Sequence, residues 1–143
     1  MAGHQKILVA LSLGKDDHGA LLLKKALELV PAQNIHIVHI EEHPVTGLGD
    51  MTGRNHAANE AHIRQQIFPD LSALASHNQI PLDNLHIAFG DPAIEIHATV
   101  QKLGCDLLII GHHNESRFTS LFHTTARDIV NEAATDTLVI RLP

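Results

Sequence analysis

The tetrapeptide Gly111-His112-His113-Asn114 contains residue types that could do chemistry, and it follows the apolar run 107–110 (LLII). A short, continuous apolar run is typical of a buried strand in a parallel sheet. Open α/β sheets bind their ligands at the carboxyl ends of their strands. A strand that ends near a glycine and passes into a polar loop therefore predicts a ligand site at this point.

A phosphate group is one ligand that such a loop could hold, provided that the loop supplies enough glycines. Glycine lets backbone N–H groups approach a phosphate closely and allows positive φ. The chain offers Gly111, Asn114, Thr124 and Thr125. Asn114 tolerates the left-handed region, but Thr124 is β-branched and adds bulk. We predict a degenerate nucleotide site, and the alternative is a tight strand-to-helix turn that Thr124 or Thr125 caps.

Nucleophilic catalysis requires an activated side chain, and the chain has two residues to consider for it. Ser12 follows the apolar run 7–11 and faces the predicted ligand crevice, but no Gly-x-Ser-x-Gly sequence surrounds it. Cys105 is the single cysteine, which excludes an internal disulfide, and its position before a buried strand predicts a small core residue. We therefore predict no catalytic residue and interpret Ser12 as a turn residue.

The 13 histidines of the chain are candidate metal ligands. The pairs His36/His39, His39/His43 and His112/His113 match no metal-ligand spacing of known sites. Residues three apart on a strand point to opposite faces, so His36 and His39 cannot share one ion. We predict no metal site. A histidine-dependent, pH-responsive module stays open as a further hypothesis, because imidazoles titrate near neutrality.

Alternating apolar runs and amphipathic segments predict the elements that position these residues. The predicted strands are 6–12, 34–40, 85–89, 106–110 and 137–142, and the predicted helices are 18–30, 56–77, 92–103 and 122–134. Asp91 is placed to cap the third helix, and Gly104 is placed to end it. The order β-α-β-α-β-α-β-α-β predicts parallel strands joined by right-handed crossovers.

Length and charge limit the class of protein. The 143 residues fit one domain, residues 1–143, and no apolar run approaches the ~18 residues of a membrane span. The net charge of −6 and only 10 scattered Lys and Arg residues argue against nucleic acid as a partner. The N-terminal segment lacks a signal-peptide pattern, so we expect a cytoplasmic protein without a membrane partner.

Four stretches resemble the universal stress protein family, in particular its UspA-like branch. They are residues 6–10 (KILVA), 38–40 (VHI), 90–96 (GDPAIEI) and the C-terminal third, which contains 105–113 (CDLLIIGHH), Ala126-Arg127 and 137–140 (TLVI). The resemblance covers essentially the whole chain and is strongest after Gly90.

This resemblance implies a single-domain, Rossmann-like α/β sandwich. Its five-stranded parallel sheet would have the order 3-2-1-4-5, with helices on both faces. It also implies a cytoplasmic homodimer that is not an enzyme and that supports survival under stress or growth arrest.

One branch of this family binds ATP through Gly-x2-Gly-x9-Gly-Ser/Thr after strand four and an Asp at the end of strand one. The present chain keeps Gly111 of that motif and has Thr125 at the hydroxyl position. Asn114 and Thr124 replace two glycines, and Ser12 replaces the Asp. We therefore predict no nucleotide cofactor. The alternative is an ATP-binding stress sensor or weak ATPase that uses a relaxed Gly111–Thr125 loop.

The last predicted strand lies at an edge of the sheet in this order. An apolar edge with unpaired backbone groups promotes association unless it is covered. Pairing with the same strand of a second copy across a two-fold axis would satisfy those groups. We predict a homodimer interface formed by Leu138, Val139, Ile140, Arg141 and Leu142, and an edge covered by the chain's own loops is the alternative.

Overall fold

The structure is a computed structural model that describes residues 3–13, 18–41, 53–113 and 127–143. Parallel strands and helices alternate along the chain. The strands are β1 (Ile7–Leu11), β2 (Ile35–Glu41), β3 (Leu85–Phe89), β4 (Leu107–His113) and β5 (Asp136–Leu142). The helices are α1 (His18–Leu29), α2 (Gly53–His77) and α3 (Pro92–Leu103), and residues 127–132 are also helical.

The five strands form one sheet with the order β3-β2-β1-β4-β5, and every neighbouring pair is parallel. The predicted fold class and strand order are confirmed. Successive crossovers lead from β1 outward to β3, and the chain then returns to place β4 on the other side of β1. The carboxyl ends of β1 and β4 therefore border the crevice in which sheets of this kind bind ligands.

Two apolar clusters cover the two faces of the sheet, because neighbouring residues of a strand point to opposite sides. Ile7, Val9 and Leu11 of β1 pack into the first cluster with α1 and α2. Leu8 of β1 packs into the second cluster with α3. Helices thus lie on both faces, as predicted, and the central strands are buried.

The ends of α3 agree with the sequence prediction. The Asp91 carboxylate accepts a hydrogen bond of 3.1 Å from the backbone N–H of Ile94, so Asp91 is the N-cap. Gly104 ends the helix in the left-handed region, with φ 69°, which glycine adopts without steric cost. Pro69 lies inside α2. Asp16 and Asp17 precede α1 and could cap it, but both lie outside the described residues.

Strand β4 is longer than the sequence predicted. It continues from Leu107 to His113 instead of ending at Ile110. The reason is β5, which runs beside it and pairs Ile140 with Gly111 and Leu142 with His113. Gly111 is therefore a residue inside a strand.

Candidate ligand site at the carboxyl edge of the sheet

Gly111 lies against side chains of two neighbouring elements. A Cβ atom at this position would stand 2.5 Å from Cδ1 of Leu142 and 3.5 Å from Cδ1 of Leu22. Leu142 belongs to β5 and Leu22 to α1, and both are buried. The missing side chain of Gly111 thus allows β5 and α1 to pack closely onto β4. On this face the space beside Gly111 is occupied by leucine side chains.

Ser12 follows the last residue of β1 and is exposed. It therefore lies at the carboxyl edge, as the sequence predicted. A serine hydroxyl has one oxygen and no charge at a position where a carboxylate would offer two acceptor oxygens. The other residues of the predicted nucleotide site, Asn114, Thr124 and Thr125, lie outside the described residues. Their assignment to this site stays a prediction.

A hydrogen-bonded chain that sequence analysis missed joins the ends of β1 and β2. Nε2 of His39 lies 2.7 Å from Oε1 of Glu41, and Nδ1 of His39 lies 3.4 Å from the backbone nitrogen of Leu13. Only 4% of His39 is exposed, and among the described residues it is the one polar side chain that is buried. The signal in the sequence is a histidine at a core-facing strand position with a carboxylate two residues later, on the same face.

The charges on the described residues at this edge do not favour a polyphosphate. Glu41 is the one residue with a permanent charge among the described residues at the ends of β1, β2 and β4, and its charge is negative. These ends comprise residues 11–13, 39–41 and 111–113. Arg141 is the cation of β5 and pairs in register with His112. Phosphate sites require backbone N–H groups, a helix N-terminus or cations. The described part of the crevice instead presents a carboxylate.

Of the histidine pairs that were considered for metal binding, the structure describes both side chains of His36 and His39, and these lie on different faces of the sheet. His36 contacts His86 with 3.0 Å between Nδ1 and Nε2, whereas His39 contacts Glu41 on the other face. The prediction that His36 and His39 point to opposite faces of the sheet is confirmed. Within the described ranges, no three His, Cys, Asp or Glu side chains are grouped so that they could hold a metal ion. His43 lies outside those ranges.

The His36–His86 pair lies at the start of β2 and β3, away from the crevice. Burial lowers the pKa of His36 to about 4, with further contributions from His86 and Lys6. Burial also lowers the pKa of His86, together with repulsion from Lys102 and Lys6. At neutral pH the two rings are therefore neutral, and one donates its N–H to the other.

Cys105 is buried, which confirms its prediction as a core residue. Burial raises the pKa of its thiol to about 11. A thiol with a raised pKa holds its proton at neutral pH, so Cys105 is a poor nucleophile.

The residues of the predicted dimer interface divide between the two faces of β5. Leu138 and Ile140 pack partly against the first apolar cluster, and Leu142 is buried within it. Val139 is 42% exposed, and Arg141 is exposed. Among the described residues, no strand pairs with the outer side of β5.

Comparisons with known proteins agree with this architecture. The model of the universal stress protein family matches residues 3–141. Universal stress protein D of Escherichia coli K12 is 29% identical over 143 residues, covering 96% of this chain and 95% of the relative. The chain therefore belongs to the universal stress protein family.

Solved structures of this family share the fold. A putative universal stress protein from Pseudomonas aeruginosa matches with a TM-score of 0.68 and 18% identity, and the match covers 96% of this chain. The chain spans about half the length of that protein, since 47% of it is covered. The universal stress protein from Archaeoglobus fulgidus in complex with dAMP matches with a TM-score of 0.52 and 17% identity, covering 95% and 97% of the two chains. No helix in the described ranges is long and apolar enough to cross a bilayer.

Proposed function

We propose that this protein is a cytoplasmic, homodimeric stress protein that supports survival under stress or growth arrest and does not use ATP. It acts without catalysing a reaction and without a nucleic-acid or membrane partner. The observation that carries the ATP part of the proposal is the packing of Leu142 and Leu22 against Gly111. A glycine with this role satisfies a packing requirement, so its presence in the sequence does not by itself indicate a phosphate loop.

The side chains at the crevice support the same conclusion. Ser12 offers a hydroxyl in place of the Asp of the ATP-binding branch, and Glu41 adds negative charge close to the end of β1. Each charge-assisted hydrogen bond that is lost costs about 1.5–3 kcal/mol. Two or three such losses weaken ATP binding by roughly two to six decades, at 1.4 kcal/mol per decade.

A nucleotide-binding sensor or weak ATPase is the second candidate. It is favoured by the dAMP complex of the Archaeoglobus fulgidus protein, which shares the fold. It is also favoured by Gly111 and Thr125, which this chain retains from the ATP-binding motif. Under this alternative, a relaxed loop between those residues holds the phosphates despite Asn114 and Thr124.

Pairing of β5 with a second copy supplies the homodimer. The outer side of β5 carries backbone groups for which the described residues offer no ladder partner. Val139 adds an exposed apolar side chain next to that edge. A two-fold axis along this edge would satisfy the backbone groups of both copies at once.

A thermal-shift experiment with and without Mg-ATP separates the two candidates. A ligand that binds only the folded state raises the melting temperature, because it stabilises that state by mass action. We expect no shift at millimolar Mg-ATP. A clear, saturable rise would overturn the proposal and support the nucleotide-binding sensor.

A further inference from the structure

We propose that Glu41, held in place by His39, determines which ligands the crevice accepts. It accepts hydrogen bonds from the hydroxyl or amine groups of an uncharged or cationic small molecule, and it disfavours polyphosphates. This inference rests on the proposed function and names the ligand class of the same crevice.

The buried imidazole of His39 needs a partner at each ring nitrogen, because an unsatisfied buried polar atom is costly. The backbone N–H of Leu13 can only donate, so it fixes Nδ1 of His39 as an acceptor. The proton of the neutral ring is then on Nε2, which donates to Oε1 of Glu41. The surroundings of His39 thus select one tautomer and, through it, one orientation of the Glu41 carboxylate.

The Glu41 side chain combines this fixed orientation with access to solvent. Its side chain is 36% exposed, whereas that of His39 is 5% exposed. One oxygen, Oε1, is engaged by His39 at 2.7 Å. For the second oxygen, Oε2, the described residues provide no hydrogen-bond donor. A carboxylate that is already oriented loses little side-chain entropy when a ligand donates to this second oxygen.

The position of Glu41 places it beside the crevice. β1 and β2 are neighbours in the sheet, with Leu11 opposite His39 in the register. Adjacent strands lie about 4.8 Å apart. Glu41 is two residues beyond His39, and Ser12 and Leu13 continue past the end of β1 on the neighbouring strand. Glu41 therefore lies at the same carboxyl edge of the sheet as Ser12, at the end of the neighbouring strand.

The charge of Glu41 favours ligands with hydroxyl or ammonium groups over ligands with phosphates. Hydrogen bonds from hydroxyl or ammonium groups to a carboxylate are charge-assisted and stronger than neutral ones. A phosphate near the same carboxylate meets a like charge, and the ends of β1, β2 and β4 offer no Lys or Arg among their described residues. Adding phosphates to an otherwise constant ligand should therefore weaken binding stepwise.

Adenosine, AMP and ATP form a suitable series of probes, since base and ribose stay constant and the phosphate count changes. Ligand-observed NMR at millimolar concentration detects weak binding of each probe to the full-length protein. We expect the affinity order adenosine, AMP, ATP, from tightest to weakest. Glu41→Gln keeps an oxygen for His39 but removes the charge, so it should weaken adenosine binding by about tenfold and flatten the order.

Glu28→Gln is the matched control, because Glu28 lies near the far end of α1, exposed and within 3.7 Å of Lys25. This variant removes the same charge from the protein and should keep the wild-type order. Absence of adenosine binding at millimolar concentration, or equal binding by wild type and Glu41→Gln, overturns the role of Glu41. ATP binding tighter than adenosine in the wild type overturns the proposed function instead, so the two failures are distinguishable.

Discussion

Gly111 lies against the side chain of Leu142, so adding a methyl group there tests how tightly β4 and β5 pack at the carboxyl edge. The Cβ of Gly111→Ala would stand 2.5 Å from Cδ1 and 3.2 Å from Cγ of Leu142. Overpacking of this kind costs about 1–3 kcal/mol. We expect Gly111→Ala to lower the free energy of unfolding by that amount in urea denaturation.

Gly3→Ala is the control for this prediction, because a Cβ at Gly3 would meet no atom within 4 Å. Its effect should stay within about 0.5 kcal/mol. In the background of Leu142→Ala, the cost of Gly111→Ala should shrink, since the clashing methyl groups are gone. A neutral Gly111→Ala in the wild-type background would contradict the packing role.

The roles of Gly111 and Glu41 can be predicted from the sequence only in part. A glycine after an apolar run indicates a close approach, but the sequence does not say whether the approaching group is a phosphate or a leucine. Leu142 is 31 residues away in sequence, and only the pairing of β5 with β4 brings it to Gly111. In the same way, the His39–Glu41 contact depends on Leu13 of another strand end.

A histidine pair between β2 and β3 makes the stability of the protein depend on pH. His36 and His86 share a hydrogen bond across these strands, and Lys6 and Lys102 are the charged groups that act on them. In the folded protein the pKa of His36 is about 4, below the ordinary histidine value of 6.5. Between these pH values the unfolded state binds more protons, so the free energy of unfolding decreases as the pH falls.

Urea denaturation at two pH values measures this dependence. The interval runs from about pH 7, above both pKa values of His36, to about pH 4.5, between them. We expect the double variant His36→Gln/His86→Gln to lose less stability than the wild type over that interval, because neither glutamine takes up a proton. Other titrating groups contribute equally to both proteins. An NMR titration in which His36 has a pKa near 6.5 would contradict this account.

The sequence predicts most of the helices and strands, because each of them carries a local signal. The apolar runs of the central strands, the Asp91 cap and Gly104 all act through neighbours in sequence. The extent of β4 has no such signal. His112 and His113 are polar residues that a local pattern assigns to a loop, and they extend the strand because β5 provides hydrogen bonds beside them.

Assembly is a property of the whole molecule, and β5 is the edge on which it depends. Val139→Lys would place a charge in a pairing of two β5 strands, and charged side chains on an edge strand oppose such pairing. We expect size-exclusion chromatography with light scattering to give a dimer for the wild type and a monomer for Val139→Lys. Val130→Lys, at a similarly exposed valine of the helical segment 127–132, should stay dimeric.

A wild-type protein that is monomeric at micromolar concentration would contradict this prediction. A Val139→Lys variant that keeps the dimeric mass would place the interface elsewhere.

Restoring the residues of the ATP-binding motif should give this chain the ability to bind ATP. The triple variant Ser12→Asp/Asn114→Gly/Thr124→Gly restores the residues of the ATP-binding motif that this chain lacks. Its additional acceptor and backbone N–H groups should produce detectable Mg-ATP binding. A triple variant that folds but does not bind would mean that the packing around Gly111, and not the residue types of the loop, excludes the nucleotide.

Isothermal titration calorimetry of the wild-type protein with Mg-ATP measures whether the crevice binds this nucleotide. The crevice has a hydroxyl at Ser12, a carboxylate at Glu41 and leucine side chains against Gly111, none of which compensates the charge of a triphosphate. We predict no binding with a dissociation constant below about 10 μM, which corresponds to roughly −7 kcal/mol. A measured constant below that value would contradict the proposal that the protein does not use ATP.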